Sequence, residues 1–81
     1  MIHEEIYAVL NEIFCDVLDD SSIELKAETS ASEIPEWDSF SHINLIVAIE
    51  LHFGLKFSSY EVERLENVGG MVELIATKLK G

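Results

Sequence analysis

Proline occurs once in the 81 residues and glycine four times. An all-β domain of this size needs many tight turns, which draw heavily on these two residues, so their scarcity favours helices. A single cysteine, Cys15, excludes an internal disulfide and any cysteine-based metal framework. Basic side chains are few: five Lys and Arg stand against sixteen Asp and Glu, a formal net charge of −11. Such a surface is repelled by nucleic-acid phosphates and by anionic membranes, and is drawn to basic protein patches. No apolar run approaches the roughly 18–20 residues that cross a bilayer, so membrane insertion is not expected. Residues 1–20 carry Glu4, Glu5, Glu12 and Asp16 with no basic leader, which points away from a signal peptide and towards the cytoplasm.

Apolar residues are abundant, at 48% of the chain. A chain this short buries only about 60–65% of the surface its unfolded form exposes, but that content suffices for one core. The expectation is a single monomeric domain over residues 1–81. Ile2, Ile6, Val9, Leu10, Ile13, Phe14 and Val17 recur at helical spacing and predict an amphipathic helix over about residues 3–18. Asp19-Asp20-Ser21-Ser22 ends it, because short polar side chains compete for the backbone. Residues 19–38 read as a long connection anchored by Ile23, Leu25, Ile34 and Trp37, and long connections in small domains are often functional. A second helix follows over Ser39 to Phe53, with Asp38 as N-cap and Gly54 just past its end. Ser58 and Glu61 have capping-box spacing and open a short helix to about Leu65. Asn67 caps a last helix carrying Met71, Val72, Leu74, Ile75 and Leu79 inward, although Gly69 and Gly70 weaken its first turn. The fold class is all-α: a bundle of three longer helices and a short third one.

The second helix is apolar on two sides. Leu45, Ile49 and Phe53 share a stripe with Ile46 at its edge, and Phe40, Ile43, Val47 and Leu51 share another. One small bundle has no core for both, so one stripe is expected to meet a partner unless a loop residue such as Trp37 covers it. Ser39 stands at the head of the second stripe, in a helical first turn whose free amides and dipole favour an anion. A phosphodiester on that oxygen gains only about 0.3–1 kcal/mol from the dipole, too little to hold a ligand without a covalent bond. Catalysis by Ser39 is disfavoured. His42 is the nearest base and Asp38 the nearest acid, Asp38 serves as a cap, and no Gly-x-Ser-x-Gly elbow or oxyanion site is evident.

Asp38-Ser39-Phe40 resembles the Asp-Ser-Leu motif of acyl carrier proteins. The resemblance continues through Ile43-Asn44-Leu45-Ile46-Val47-Ala48-Ile49-Glu50, Phe53-Gly54 and the segment from Phe57 to Leu65, and so covers nearly the whole chain. It implies that Ser39 receives a covalent 4′-phosphopantetheine arm from coenzyme A through a phosphopantetheinyl transferase, with Asp38 part of the motif. It implies further that acyl groups ride on the arm as thioesters, and that the carrier itself catalyses nothing. Phe40, Ile43, Val47 and Glu50 would form the surface read by acyl-loading and acyl-transferring enzymes with basic or apolar docking patches. Phe40 replaces the usual leucine, Trp37 stands where many relatives have a small residue, and Ser41, Asn44 and Leu51 fall where the carriers of fatty-acid synthesis are often acidic. The pattern therefore looks more like a carrier for a specialised lipid or secondary-metabolite pathway. An aminoacyl carrier of the D-alanyl type is an alternative, and a helical interaction domain without an arm is another.

The remaining polar residues read as ordinary. Cys15 is a small core-edge group. His3 and His52 lack metal-ligand company, and His42 is read as a surface histidine, with arm positioning as the second reading. Asp16, Asp19, Asp20 and Glu24 lack the central Gly and terminal Glu of a calcium loop, so no metal is expected. Lys78 and Lys80 suit the negative end of the last helix.

Overall fold

A computed structural model describes residues 2–65 and 67–80. Among them four α-helices appear in the expected order: α1 (His3–Val17), α2 (Ser39–Phe53), the short α3 (Ser59–Arg64) and α4 (Val68–Lys80). Among the described residues there is no β-strand, and α1 packs against both α2 and α4.

The α1 stripe closes on the core through Ile6, Leu10 and Phe14, all fully buried. Ile2 does not join them. It occupies the N-cap position with extended backbone and is exposed, while Glu5 accepts a hydrogen bond from its amide at 3.2 Å. At the other end Asp19 adopts the left-handed conformation (φ 53°), and the Asp20 amide bonds back to the Cys15 carbonyl at 3.1 Å. This is the usual way a helix closes its last carbonyls, here achieved without glycine.

The long connection is ordered by two braces. Asn11 on α1 donates to the Ile23 carbonyl (3.1 Å) and accepts from the Leu25 amide (2.9 Å), so one side chain satisfies two loop backbone groups. Further on, the first amides of α4 bond the loop directly: Val68 to the Thr29 carbonyl at 2.8 Å and Gly69 to the Ala27 carbonyl at 3.0 Å. Ser30 and Asn67 form an isolated antiparallel bridge beside them. A short 3₁₀ turn, Ala31–Glu33, follows. Ile23, Ile34 and Trp37 are buried and Leu25 is half-buried against the core. Gly69 is thus more than a weak point in α4, since it allows the helix start to approach the loop backbone.

The α2 helix begins and ends as its sequence indicates. Asp38 accepts from the Ser41 amide at 2.9 Å, and Gly54 terminates the helix at φ 67°. Only six residues long, α3 would not persist alone. It is held by a reciprocal cap between Ser58 and Glu61 (2.8 and 3.1 Å) and by Lys78 of α4, whose Nζ lies 3.0 Å from Glu61 Oε1 and over the Phe57 ring. Lys78 therefore joins two helices, a role beyond the helix-end charge read from its position. The Lys80 side chain lies outside the described residues. Asn67 caps α4 as expected, accepting from the Gly70 amide at 2.7 Å.

Candidate functional site

Ser39 is the first residue of α2 and is exposed. The Asp38 carboxylate beside it is held below its ordinary value, chiefly by the hydrogen bond from the Ser41 amide. The negative group at the helix start is therefore occupied in capping, and Ser39 projects from a turn that is already fixed.

Behind this hydroxyl lies a groove of about 510 Å³ between α2, α3 and the end of the long loop. Ser39 and Asp38 lie at it together with the apolar side chains of Ala31, Ile43, Val62 and Leu65, and with Trp37, His42 and Glu63. These residues come from three separate segments, so no local spacing in the sequence marks them as one site.

Trp37 is only 4% exposed and meets Phe14 edge to face, with ring centroids 4.9 Å apart. Its indole N–H donates to His42 Nδ1 at 3.0 Å, and His42 Nε2 lies 2.9 Å from the Val62 carbonyl. His42 is half-buried and engaged at both ring nitrogens, which corrects its reading as a plain surface histidine. It is also not disposed as a base for Ser39, since each nitrogen already has a partner. The signal that would have found it is the pairing of a loop tryptophan with a first-turn histidine five residues on, and that pairing is visible only once the loop is folded.

Trp37 does not cover the second α2 stripe. Phe40 is 78% exposed and Leu51 80%, with Ile43 and Val47 about half exposed between them, while Leu45, Ile46 and Ile49 carry the core contact. Glu50 behaves differently from its neighbours. Half-buried, it accepts from the Phe57 amide at 2.8 Å and so ties the end of α2 to the following loop.

No protein-family model matches the chain. An acyl carrier protein of Acidothermus cellulolyticus is 34% identical over 73 residues, 90% of this chain and 87% of the relative. One from Petrotoga mobilis is 28% identical over 79 residues, 98% of this chain and 93% of the relative. Among solved structures, the solution structure of a holo acyl carrier protein from Geobacter metallireducens matches with a TM-score of 0.86 at 47% identity, covering 91% of this chain and 85% of that one. The chain belongs to the acyl carrier protein family. Proteins of this family carry cargo rather than transform it, so the chain is a carrier and not an enzyme.

Proposed function

We propose that this protein carries acyl groups as thioesters on a 4′-phosphopantetheine arm linked to Ser39. The observation that supports this most directly is an exposed serine at the first position of a capped helix, at the mouth of a groove with an apolar wall. The residues present suit such an arm. The hydroxyl is reachable by a second protein, the helix start favours the phosphodiester, and the groove can take the slender chain beyond it. In the transfer, Ser39 Oγ would attack the pantetheine-bearing phosphorus of coenzyme A, forming the phosphodiester while the pyrophosphate bond breaks and an adenosine bisphosphate leaves. A base of the transferase takes the hydroxyl proton, because His42 is committed to Trp37 and Val62.

The partner surface in this reading is the α2 stripe of Phe40, Ile43 and Val47, prolonged by Leu51 to a length of about 16 Å along the helix axis. Glu50 lies at its margin and is tied to the backbone of Phe57. Transferases and acyl-handling enzymes would meet this stripe with an apolar patch rimmed by basic groups, since the net charge of −11 draws such partners. Within α2 the exposed Asn44 and Leu51 offer no charge to a basic partner. That supports a carrier for a specialised lipid or secondary-metabolite pathway over one for general fatty-acid synthesis.

The test is loading of the apo-protein. Incubated with coenzyme A and a broad-specificity phosphopantetheinyl transferase, the wild type gains the mass of one arm and Ser39→Ala gains none. A wild type that stays unmodified contradicts the carrier reading and favours a helical interaction domain.

A further inference from the structure

The geometry points to His42 as a positioning residue that sets the groove beside Ser39 by joining the loop residue Trp37 to α3, a joint that forms only while the imidazole is neutral.

An indole N–H donates and cannot accept, so the Nδ1 that meets it at 3.0 Å carries no proton. The neutral ring then holds its hydrogen on Nε2 and donates it to the Val62 carbonyl, 2.9 Å away. That carbonyl belongs to the last turn of α3, where backbone acceptors lack helical partners, and it also receives the Leu65 amide at 3.3 Å. One side chain in the first turn of α2 therefore fixes both walls of the groove: Trp37 at the end of the loop and Val62 on α3. A second proton on Nδ1 would set donor against donor and leave the buried Trp37 N–H without an acceptor, which drives the ring out of its place. Because α3 is a single helix of six residues, loss of this tie is felt there first.

Among the described residues, the ionisable groups that line the groove with the imidazole are Asp38, on the cap of its own helix, and Glu63, from α3. From α1 the ring that meets Trp37 is Phe14, which does not titrate. His3 pairs with Glu73 and His52 lies against Phe53, so neither shares these contacts. The consequence for an arm lodged in the groove rests on Ser39 being its attachment point; the joint itself does not.

Trp37 is the sole tryptophan, so its fluorescence reports the joint without labelling. The measurement uses the apo-protein, taken from about pH 8 to about pH 5. It follows Trp37 emission together with hydrogen exchange at the Val62 and Leu65 amides, corrected for intrinsic rates. The expected result is one step in emission, with exchange about tenfold faster at the acid end. His42→Gln, which offers an amide acceptor and donor without titrating, removes the step and keeps exchange slower than in His42→Phe. Asp38→Asn, Glu63→Gln and the double variant His3→Gln/His52→Gln each retain the step. A wild type with flat emission and flat exchange overturns the inference, as does a step that survives in His42→Gln or vanishes in any of those controls. Should His42→Phe lose its helical circular dichroism, the wild-type and His42→Gln profiles decide alone. Failure of the arm would appear separately, as absence of a mass gain with the pH step intact.

Discussion

Gly69 and Ala27 meet backbone to backbone: the Gly69 amide lies 3.0 Å from the Ala27 carbonyl oxygen, and a Cβ on Gly69 would stand 2.8 Å from that same atom. Helix propensity alone favours alanine here by about 1 kcal/mol. The contact opposes it, because the obstacle is a carbonyl of the long loop and not a movable side chain. Gly69→Ala is expected to lose about 1–2 kcal/mol of stability as α4 and the loop separate. At Gly70 the nearest obstacle is the Asn67 side chain at 3.2 Å, which can shift, so Gly70→Ala should stay within about 0.5 kcal/mol of wild type. Urea unfolding of the two variants side by side checks the ordering, and equal behaviour would contradict it.

Asp19 offers a change in the opposite direction. Its left-handed backbone (φ 53°) costs a side-chain-bearing residue more than it costs glycine. After the greater freedom glycine has in the unfolded chain is subtracted, Asp19→Gly should gain about 0.5–1 kcal/mol. The urea midpoint should rise with an unchanged slope, whereas Asp19→Val should lower it.

Acid sensitivity follows from two capping carboxylates. Asp38 is held below the ordinary carboxylate range, first by the Ser41 amide, and so is Glu61, first by the Ser58 amide and then by Lys78. Both bind protons less readily folded than unfolded. Their stabilisation is therefore complete above the unfolded values and is lost as pH falls through the lowered folded ones. The many other carboxylates also respond to acid, so the informative quantity is the difference between wild type and Asp38→Asn or Glu61→Gln. That difference should be constant above about pH 5 and shrink below about pH 4. A difference that grows with acid would contradict the assignment.

The exposed α2 stripe has a signature distinct from stability. Phe40→Glu and Leu51→Glu replace side chains that are 78% and 80% exposed, so each should shift folding stability by no more than about 0.5 kcal/mol. If the stripe is the docking surface, each should raise the transferase KM about tenfold, the loss expected of an apolar contact in an interface. Unchanged kinetics in both would move docking to another face.

The helices and their ends were legible because their signals are local. Asp38, Gly54, Ser58 and Asn67 each act within four residues of their own position, and the α2 stripes can be counted along the chain. The place of Ser39 at the head of α2 was legible for the same reason, as a residue following a cap. What stayed hidden depends on contacts between distant segments. Asn11 reads as one more polar residue on α1 until the Ile23 and Leu25 backbone reaches it. Gly69 reads as a helix weakener until Ala27 arrives. His42 reads as a surface residue until the loop delivers Trp37 on one side and α3 delivers Val62 on the other. Likewise the groove beside Ser39 has no sequence signature, since its walls come from residues 31, 37, 43, 62 and 65.

The most direct measurement is fragment mass spectrometry of the peptide spanning Asp38 to His42 after loading, because Ser39 and Ser41 lie in one helical turn and only fragmentation separates them. The expected result is one phosphopantetheinyl group, held entirely on Ser39. An adduct on Ser41, or a peptide that emerges unmodified under conditions that load a control carrier, would contradict it.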